Sequence, residues 1–301
     1  NCFFCFITVM LKIHLNLLVL LSFYCIYGLS RARKQGGMMR LVTIAATLLM
    51  ICGVFQAYAS DIAPLTPINT RGTYQVYFGG IPMAKLWMAF DQDDKTYHYT
   101  CGIKSKGIAR MFKKVRALTT SNGVKTDHGW QTLLLNIHSD GDKNTKLVYD
   151  ADGELQERTL SDDDDPNYRP RIDKALLRAV PTYGNAFHVL RDSIYKSVSA
   201  GEKSFKTDVY DAKRLMRVNA VIEGEQDYQV KGKYIPVYRV RFSRELIAGF
   251  TEKEKKRYAD GEPPLMLYVA KKDLLPIALE IQFTFGAIKA YWEEDKAETK
   301  N

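Results

Sequence analysis

From residue 70 onward, apolar and polar side chains alternate along most of the chain with a period of two. At 73–78, Tyr74, Val76 and Phe78 share one parity. At 83–90, Ala84, Leu86, Met88 and Phe90 do the same, and a third run at 96–103 follows the turn Asp91-Gln92-Asp93-Asp94. Side chains two apart point to the same face of a strand, so each run reads as a strand with one buried face. Gly79-Gly80-Ile81-Pro82 joins the first two, and the spacing describes an antiparallel meander. Residues 107–112 read as one turn of helix. A strand is expected at 115–120, closed by the hairpin signal Ser121-Asn122-Gly123, with others at 130–138, 146–149 and 154–159.

The period changes once in the middle. Phe187, Leu190, Ile194 and Val198 recur at three- and four-residue steps, and Gly201 follows, which predicts a helix over 186–200. The acidic, proline-terminated stretch Ser161-Asp162-Asp163-Asp164-Asp165-Pro166 precedes it. Its four aspartates lack the alternating ligands, glycine and distal glutamate of a calcium loop, and read as a solvated loop. Strands resume at 205–210, 214–223, 227–230 and 237–242. The run at 265–270 is apolar on both parities and is expected to be central. Strands at 277–285 and 288–292 close the pattern. Thr251-Glu252-Lys253-Glu254 is a capping box that starts a short charged helix. No βαβ alternation appears. The expected fold is mainly β: a large curved antiparallel sheet or open β-barrel, with one long helix packed on or in it.

The first 59 residues follow a different pattern. Arg40 precedes an apolar, uncharged run at 41–55, and Ala57 and Ala59 stand where a signal peptidase reads, so 38–59 reads as a signal peptide cleaved before Ser60. An uncleaved inner-membrane anchor is the alternative, because the run is long for a leader core. Cys52 lacks the small preceding residue of a lipoprotein site. Residues 1–37 begin on Asn1 and hold a second apolar stretch at 15–29, followed by Arg31, Arg33 and Lys34. Three readings compete for it: an untranslated upstream extension, which is preferred, a transmembrane segment, or a longer leader from Met10. The start then lies at Met38 or Met39, and residues 60–301 form a single β-rich domain.

Composition is altered by removing that segment. The chain has 43 basic and 34 acidic side chains, a net charge of +9. Lys12, Arg31, Arg33, Lys34 and Arg40 all lie before Ser60, where no acid occurs. The remainder therefore has 38 basic against 34 acidic side chains, or +4. That is an ordinary surface and argues against a nucleic-acid partner. Cys2, Cys5, Cys25 and Cys52 fall in the same segment, leaving Cys101 on the apolar parity of its strand, where it reads as a small buried hydrophobe. Stability is expected to come from strand pairing and core packing.

Tyr74-x-Val76-x-Phe78-Gly79-Gly80, the Asp192 segment, Val209-Tyr210-Asp211-Ala212-Lys213-Arg214, Leu267-Tyr268-Val269 with Leu275-Pro276-Ile277, and Phe285-Gly286-Ala287-Ile288 occur in an order that resembles the bacterial exported-protein family called domain of unknown function 3108. The resemblance covers about 71–292. It implies a β-rich fold and a location in the envelope of Gram-negative bacteria, and it supplies no activity and no catalytic residue. The tryptophan-like position that the family carries before the late proline is Tyr268 here.

No catalytic motif is present. His98, His128, His138 and His188 do not pair with one another or with cysteine at metal-ligand spacing, and no phosphate loop, nucleophile elbow or dinucleotide fingerprint occurs, so no metal and no cofactor is expected. Asp192 is the first carboxylate to inspect for chemistry. Fifteen of the 18 tyrosines lie after Ser60. Tyrosine suits a sheet face with one wet and one apolar end. The leading expectation is a non-catalytic periplasmic protein that binds or carries a lipid-like amphiphile on an aromatic concave face formed by Tyr74, Phe78, Tyr99, Tyr268 and Phe283. The alternative is a structural or assembly factor of the envelope acting through protein contacts; a polysaccharide hydrolase stands third. Lys253, Lys255, Lys256 and Arg257 are candidates for contact with an anionic membrane surface.

Overall fold

The computed structural model describes residues 65–294 except 113, 142, 162–168 and 285. The leader, the upstream extension, Cys52, the four aspartates and Phe285 lie outside the described residues. Thirteen antiparallel strands form one sheet: β1 Asn69–Phe78, β2 Ile81–Gln92, β3 Thr96–Ser105, β4 Arg116–Thr126, β5 Gly129–Ser139, β6 Lys143–Tyr149, β7 Leu155–Leu160, β8 Ser204–Tyr210, β9 Leu215–Val230, β10 Lys233–Ala248, β11 Leu265–Ala270, β12 Pro276–Phe283 and β13 Gly286–Glu294. Their spatial order is β7-β6-β5-β4-β3-β2-β1-β13-β12-β11-β10-β9-β8. Two sequential meanders thus meet at the β1–β13 pair, and β7 and β8 are the open edges. Three α-helices accompany them among the described residues: α1 Gly107–Phe112, α2 Ala186–Ser199 and α3 Glu252–Ala259.

A sheet of this width must curl. Its inner face and α2 share one hydrophobic cluster, running from Ala84, Leu86 and Phe90 through Tyr99, Leu135 and Leu147 to Val218, Val240, Leu267 and Leu279. The chain crosses from edge β7 to edge β8 over the inner face, so the crossing segment closes what the strands leave open. Ala179 N–H donates to Gly153 O at 2.9 Å, and Tyr210 N–H donates to Pro181 O at 2.8 Å. Arg158 Nε–H, on β7, donates to Ala212 O at 2.7 Å. The result is a barrel whose strands stay open and whose gap is spanned by loop and helix.

The alternation of the sequence survives in the burial of β2 and β3, and Cys101 is fully buried. β11 is buried on both faces, as its two apolar parities predict. The outer cover comes from the β9–β10 hairpin, whose 16-residue strands overhang the six of β11. Tyr228, Val230 and Ile235 of the overhang pack with Val237, Met266, Tyr268 and Ile277 into a second, outer cluster.

Three expectations are corrected. Ser121-Asn122-Gly123 is no hairpin: β4 runs through it with a bulge at Asn122/Gly123, and the chain turns at Asp127-His128. The glycine is needed for close approach, since a Cβ there would sit 2.5 Å from the Tyr97 ring and 2.0 Å from Gln131 O. Strands expected at 214–223 and 227–230 are one strand, β9, with a register shift beside Gly224. The strand expected to reach 285 ends at Phe283, where Thr284 begins a turn.

Candidate functional site

The concave face narrows to a slot between the sheet and α2. Tyr74, Met88 and Tyr99 line it from β1–β3, Phe205, Thr207 and Val209 from β8, and Phe242 and Leu265 from β10 and β11; Phe187 and Leu190 of α2 form the opposite wall. The cavity is almost wholly apolar and holds about 50 Å³. Ligand pockets usually hold roughly 300–1,000 Å³, so this slot is packed rather than hollow.

Aromatic rings fill most of the space. Phe90 stacks on Tyr99 at 5.1 Å and on Phe187 at 4.0 Å. Tyr74 meets Trp292 edge-on at 5.1 Å, and its hydroxyl donates to Pro276 O. Full burial pushes the Tyr74 phenol well above its ordinary range. Of the five aromatic residues expected on one concave face, only Tyr74 and Tyr99 line the slot. Phe78 and Phe283 are half-buried and pack on the inner cluster away from it. Tyr268 stands on the opposite, outer face, 4.1 Å from Tyr228, because positions 265, 267 and 269 of β11 take the inner side.

One end of the interior is polar. Tyr97 Oη lies 3.1 Å from Ser121 Oγ and 3.0 Å from Thr132 Oγ1, and Thr132 Oγ1 lies 2.8 Å from Thr182 Oγ1. Thr182 N–H donates to Asn185 Oδ1 at 2.8 Å, and Asn185 Nδ2 donates to Trp130 O. This chain of bonds fixes the start of α2 to β4 and β5. Burial pushes the Tyr97 phenol up to about 12, and the Ser121 and Thr132 bonds oppose that rise. Tyr97→Phe removes both bonds and leaves buried hydroxyls short of a partner. It is expected to lower stability by about 1–2 kcal/mol in a urea titration; an unchanged midpoint would show that the network adds nothing.

His188 is 1 % exposed at the same end. Its Nδ1 lies 2.8 Å from Gln92 Oε1, and its Nε2 has no hydrogen-bond partner. The rings of Tyr97, Trp130 and Phe187 surround it at 4.6, 5.4 and 5.4 Å. Burial, reinforced by the Arg191 charge, pulls its pKa down to about 3. Asp192, one turn further along α2, is half-buried; burial raises its carboxyl, while Lys125, Lys196, Arg191 and the Trp130 indole oppose the rise. Arg191 is 2 % exposed, with Nε donating to Asp273 O and Nη2 to Thr66 O, each at 2.9 Å. The sequence reading missed His188 and Arg191 as interior residues, since both lie beside the apolar stripe it found. Among the described residues, no three His, Cys, Asp or Glu side chains are grouped to hold a metal ion.

The charged helix α3 forms as expected, with Thr251 N–H donating to Glu254 Oε2 at 3.0 Å and Glu254 N–H to Thr251 Oγ1 at 3.3 Å. Lys253, Lys255 and Lys256 are exposed or half-exposed and Arg257 is half-buried. Lys255 pairs with Glu252 at 2.7 Å. Glu254 is held between Arg169 and Arg214, which fastens α3 to the crossing segment and to the β8–β9 turn. Among the described residues no helix is long and apolar enough to cross a membrane.

A family model described as a protein of unknown function (DUF3108) matches residues 73–293. No curated protein matches the chain. A crystal structure of a beta-barrel-like protein of domain of unknown function DUF1849 from Brucella abortus is similar at 12% sequence identity, covering 76% of this chain and 97% of that chain with a TM-score of 0.47.

Proposed function

This chain belongs to the DUF3108 family, and we propose that it is an exported, non-catalytic envelope protein that works through its outer surface. The observation that carries this reading is the packed slot between the sheet and α2. About 50 Å³ remain there, so the helix and the inner face of the thirteen-stranded sheet meet as a packed contact rather than as the walls of a container. Buried hydrogen bonds and the Arg191 contacts hold α2 against the sheet. The export reading rests on the apolar run and small residues of 38–59.

A second reading keeps the amphiphile. The slot lining is apolar and aromatic, and a single acyl chain would fit if α2 swung outward and ceded the places of Phe187 and Leu190. One experiment separates the two. The purified protein is expected to show the mass of the chain alone in native mass spectrometry and no saturable uptake of a fluorescent fatty acid. Saturable uptake at one site, lost in a slot-filling Leu190→Trp variant, would overturn the surface reading in favour of the carrier.

A further inference from the structure

One end of the barrel carries exposed apolar side chains inside a field of unpaired positive charge. No acidic residue occurs between Asp94 and Asp127. Within that stretch α1 exposes Ile108 at 51% and Met111 at 84%. Gly107 (φ +54) makes the turn into α1, and its backbone comes so near Pro82 that an added Cβ would lie 3.0 Å from Pro82 O. Exposed Ile81 (46%) therefore stands beside the helix.

The charges are ordered by the sheet. Lys85 pairs with Lys104 across β2–β3, and Lys104 with Arg116 across β3–β4. Directly opposed residues share a face, so three like charges form one row, an arrangement that is destabilising by itself. Lys106, Arg110 and Lys114 add exposed cations around α1. Among the described residues, none of these six forms an ion pair. The nearest acid that touches the row is Asp140, whose Oδ2 accepts the Arg116 backbone N–H at 2.5 Å. Arg217, Arg239, Arg241 and Arg244 elsewhere on the sheet are all matched with Asp or Glu. The next row on this sheet is Trp87, Gly102 and Leu118, where the Trp87 ring covers the glycine and Leu118 is 38% exposed. Apolar tips, a half-exposed tryptophan and unpaired cations are the combination that binds a lipid interface.

We propose that α1 and the Lys85–Lys104–Arg116 row form a docking surface for a bilayer of anionic phospholipid. The proposal deepens the surface-acting reading by naming what the surface touches. Ile108 and Met111 enter the headgroup region, and the cations meet lipid phosphates. The charged helix α3 serves less well, because it exposes no large apolar side chain and its Lys255 is already paired with Glu252.

The test uses the full chain, whose apolar N-terminal run can attach to bilayers unaided, so the readout is local. Met111→Trp alters an exposed position and leaves the core untouched. The signal of the parent chain is subtracted. With vesicles of phosphatidylglycerol and phosphatidylcholine carrying brominated acyl chains, Trp fluorescence at 111 is expected to shift to the blue and fall at least twofold. Phosphatidylcholine alone should leave it unchanged, as should Lys256→Trp on α3 in either lipid. Adding Lys104→Glu and Arg116→Glu should raise the concentration of anionic lipid needed for half-maximal quenching at 111 at least roughly thirtyfold, about fivefold per cation lost. The proposal falls if the chain pellets with anionic vesicles while position 111 stays unquenched, or if 111 and 256 are quenched alike. A position 111 that stays wet in lipid but is buried by an added envelope protein also overturns it. Fatty-acid uptake in the slot would refute the surface-acting reading without touching this result, and unquenched 111 would refute the docking without reviving the slot.

Discussion

Arg191→Ala is expected to cost about 3–5 kcal/mol of unfolding free energy, the largest effect of a single substitution considered for this protein. The guanidinium is 2 % exposed and forms no ion pair among the described residues; it donates instead to two backbone carbonyls. One acceptor, Thr66 O, lies just before β1, and the other, Asp273 O, lies in the turn between β11 and β12. The side chain therefore joins α2 to two distant parts of the chain. Burial lowers its pKa, and the charges of Asp192 and Asp273 partly restore it. Alanine would leave both carbonyls without that donor and a cavity where the side chain packs. Each hydrogen bond to a charged group contributes roughly 1.5–3 kcal/mol, and release of the desolvation cost offsets part of the loss. Arg191→Met retains most of the volume and is expected to recover about half the loss. Urea midpoints at constant slope measure both variants. If alanine and methionine behave like the parent, Arg191 is not a tie.

Acidification should destabilise the fold through His188. Its folded-state pKa is about 3, against an ordinary value near 6.5. The folded state thus keeps the ring neutral where the unfolded chain would protonate it. The sign follows: the contribution is fully present above pH 6.5 and is lost as pH falls toward 3. At about 1.4 kcal/mol per pH unit, the loss by about pH 4 is about 3 kcal/mol. The physical cause is a ring enclosed by Phe90, Tyr97, Trp130 and Phe187, with one nitrogen bonded to Gln92 and the other without a partner. His188→Gln keeps a hydrogen-bonding group beside Gln92 and removes the titration. Its stability should change less between about pH 7 and pH 4 than that of the parent, by about 3 kcal/mol. Parallel pH profiles for the two proteins would rule His188 out as the cause.

The strands were largely legible because a period of two is imposed by backbone geometry and survives any later packing. The runs at 73–78, 83–90 and 96–103 fall inside β1, β2 and β3 for that reason. The hairpin at 121–123 misled because Ser-Asn-Gly has turn composition, while the glycine there answers to a ring on the neighbouring strand. Tyr74 and Tyr99 could be assigned to the inner face because one parity of each strand is plainly apolar. Tyr268 could not, because β11 is apolar on both parities and nothing local says which side turns inward. Long charged or polar side chains on a helix normally read as solvent-facing, so Arg191 and His188 left no signal beside Phe187, Leu190 and Ile194. The run free of acid from 95 to 126 was visible in the sequence, but whole-chain charge concealed it. Only burial shows that Ile108 and Met111 stand exposed within it.

The sheet order has a consequence for how this chain acquires its structure. Tyr74 and Trp292 face each other across the β1–β13 pair, so the middle of the sheet is made by the first and last strands. Each half-meander forms by local hairpins, whereas the seam between them demands closure of nearly the whole domain. Contacts of such long sequence separation slow folding. Neither half can reach the final sheet before β13 has been synthesised. A chain interrupted between β12 and β13 is left with two unjoined half-sheets, each with a bare central edge, and a passage to a new compartment in the unfolded form would have that interval in which to finish.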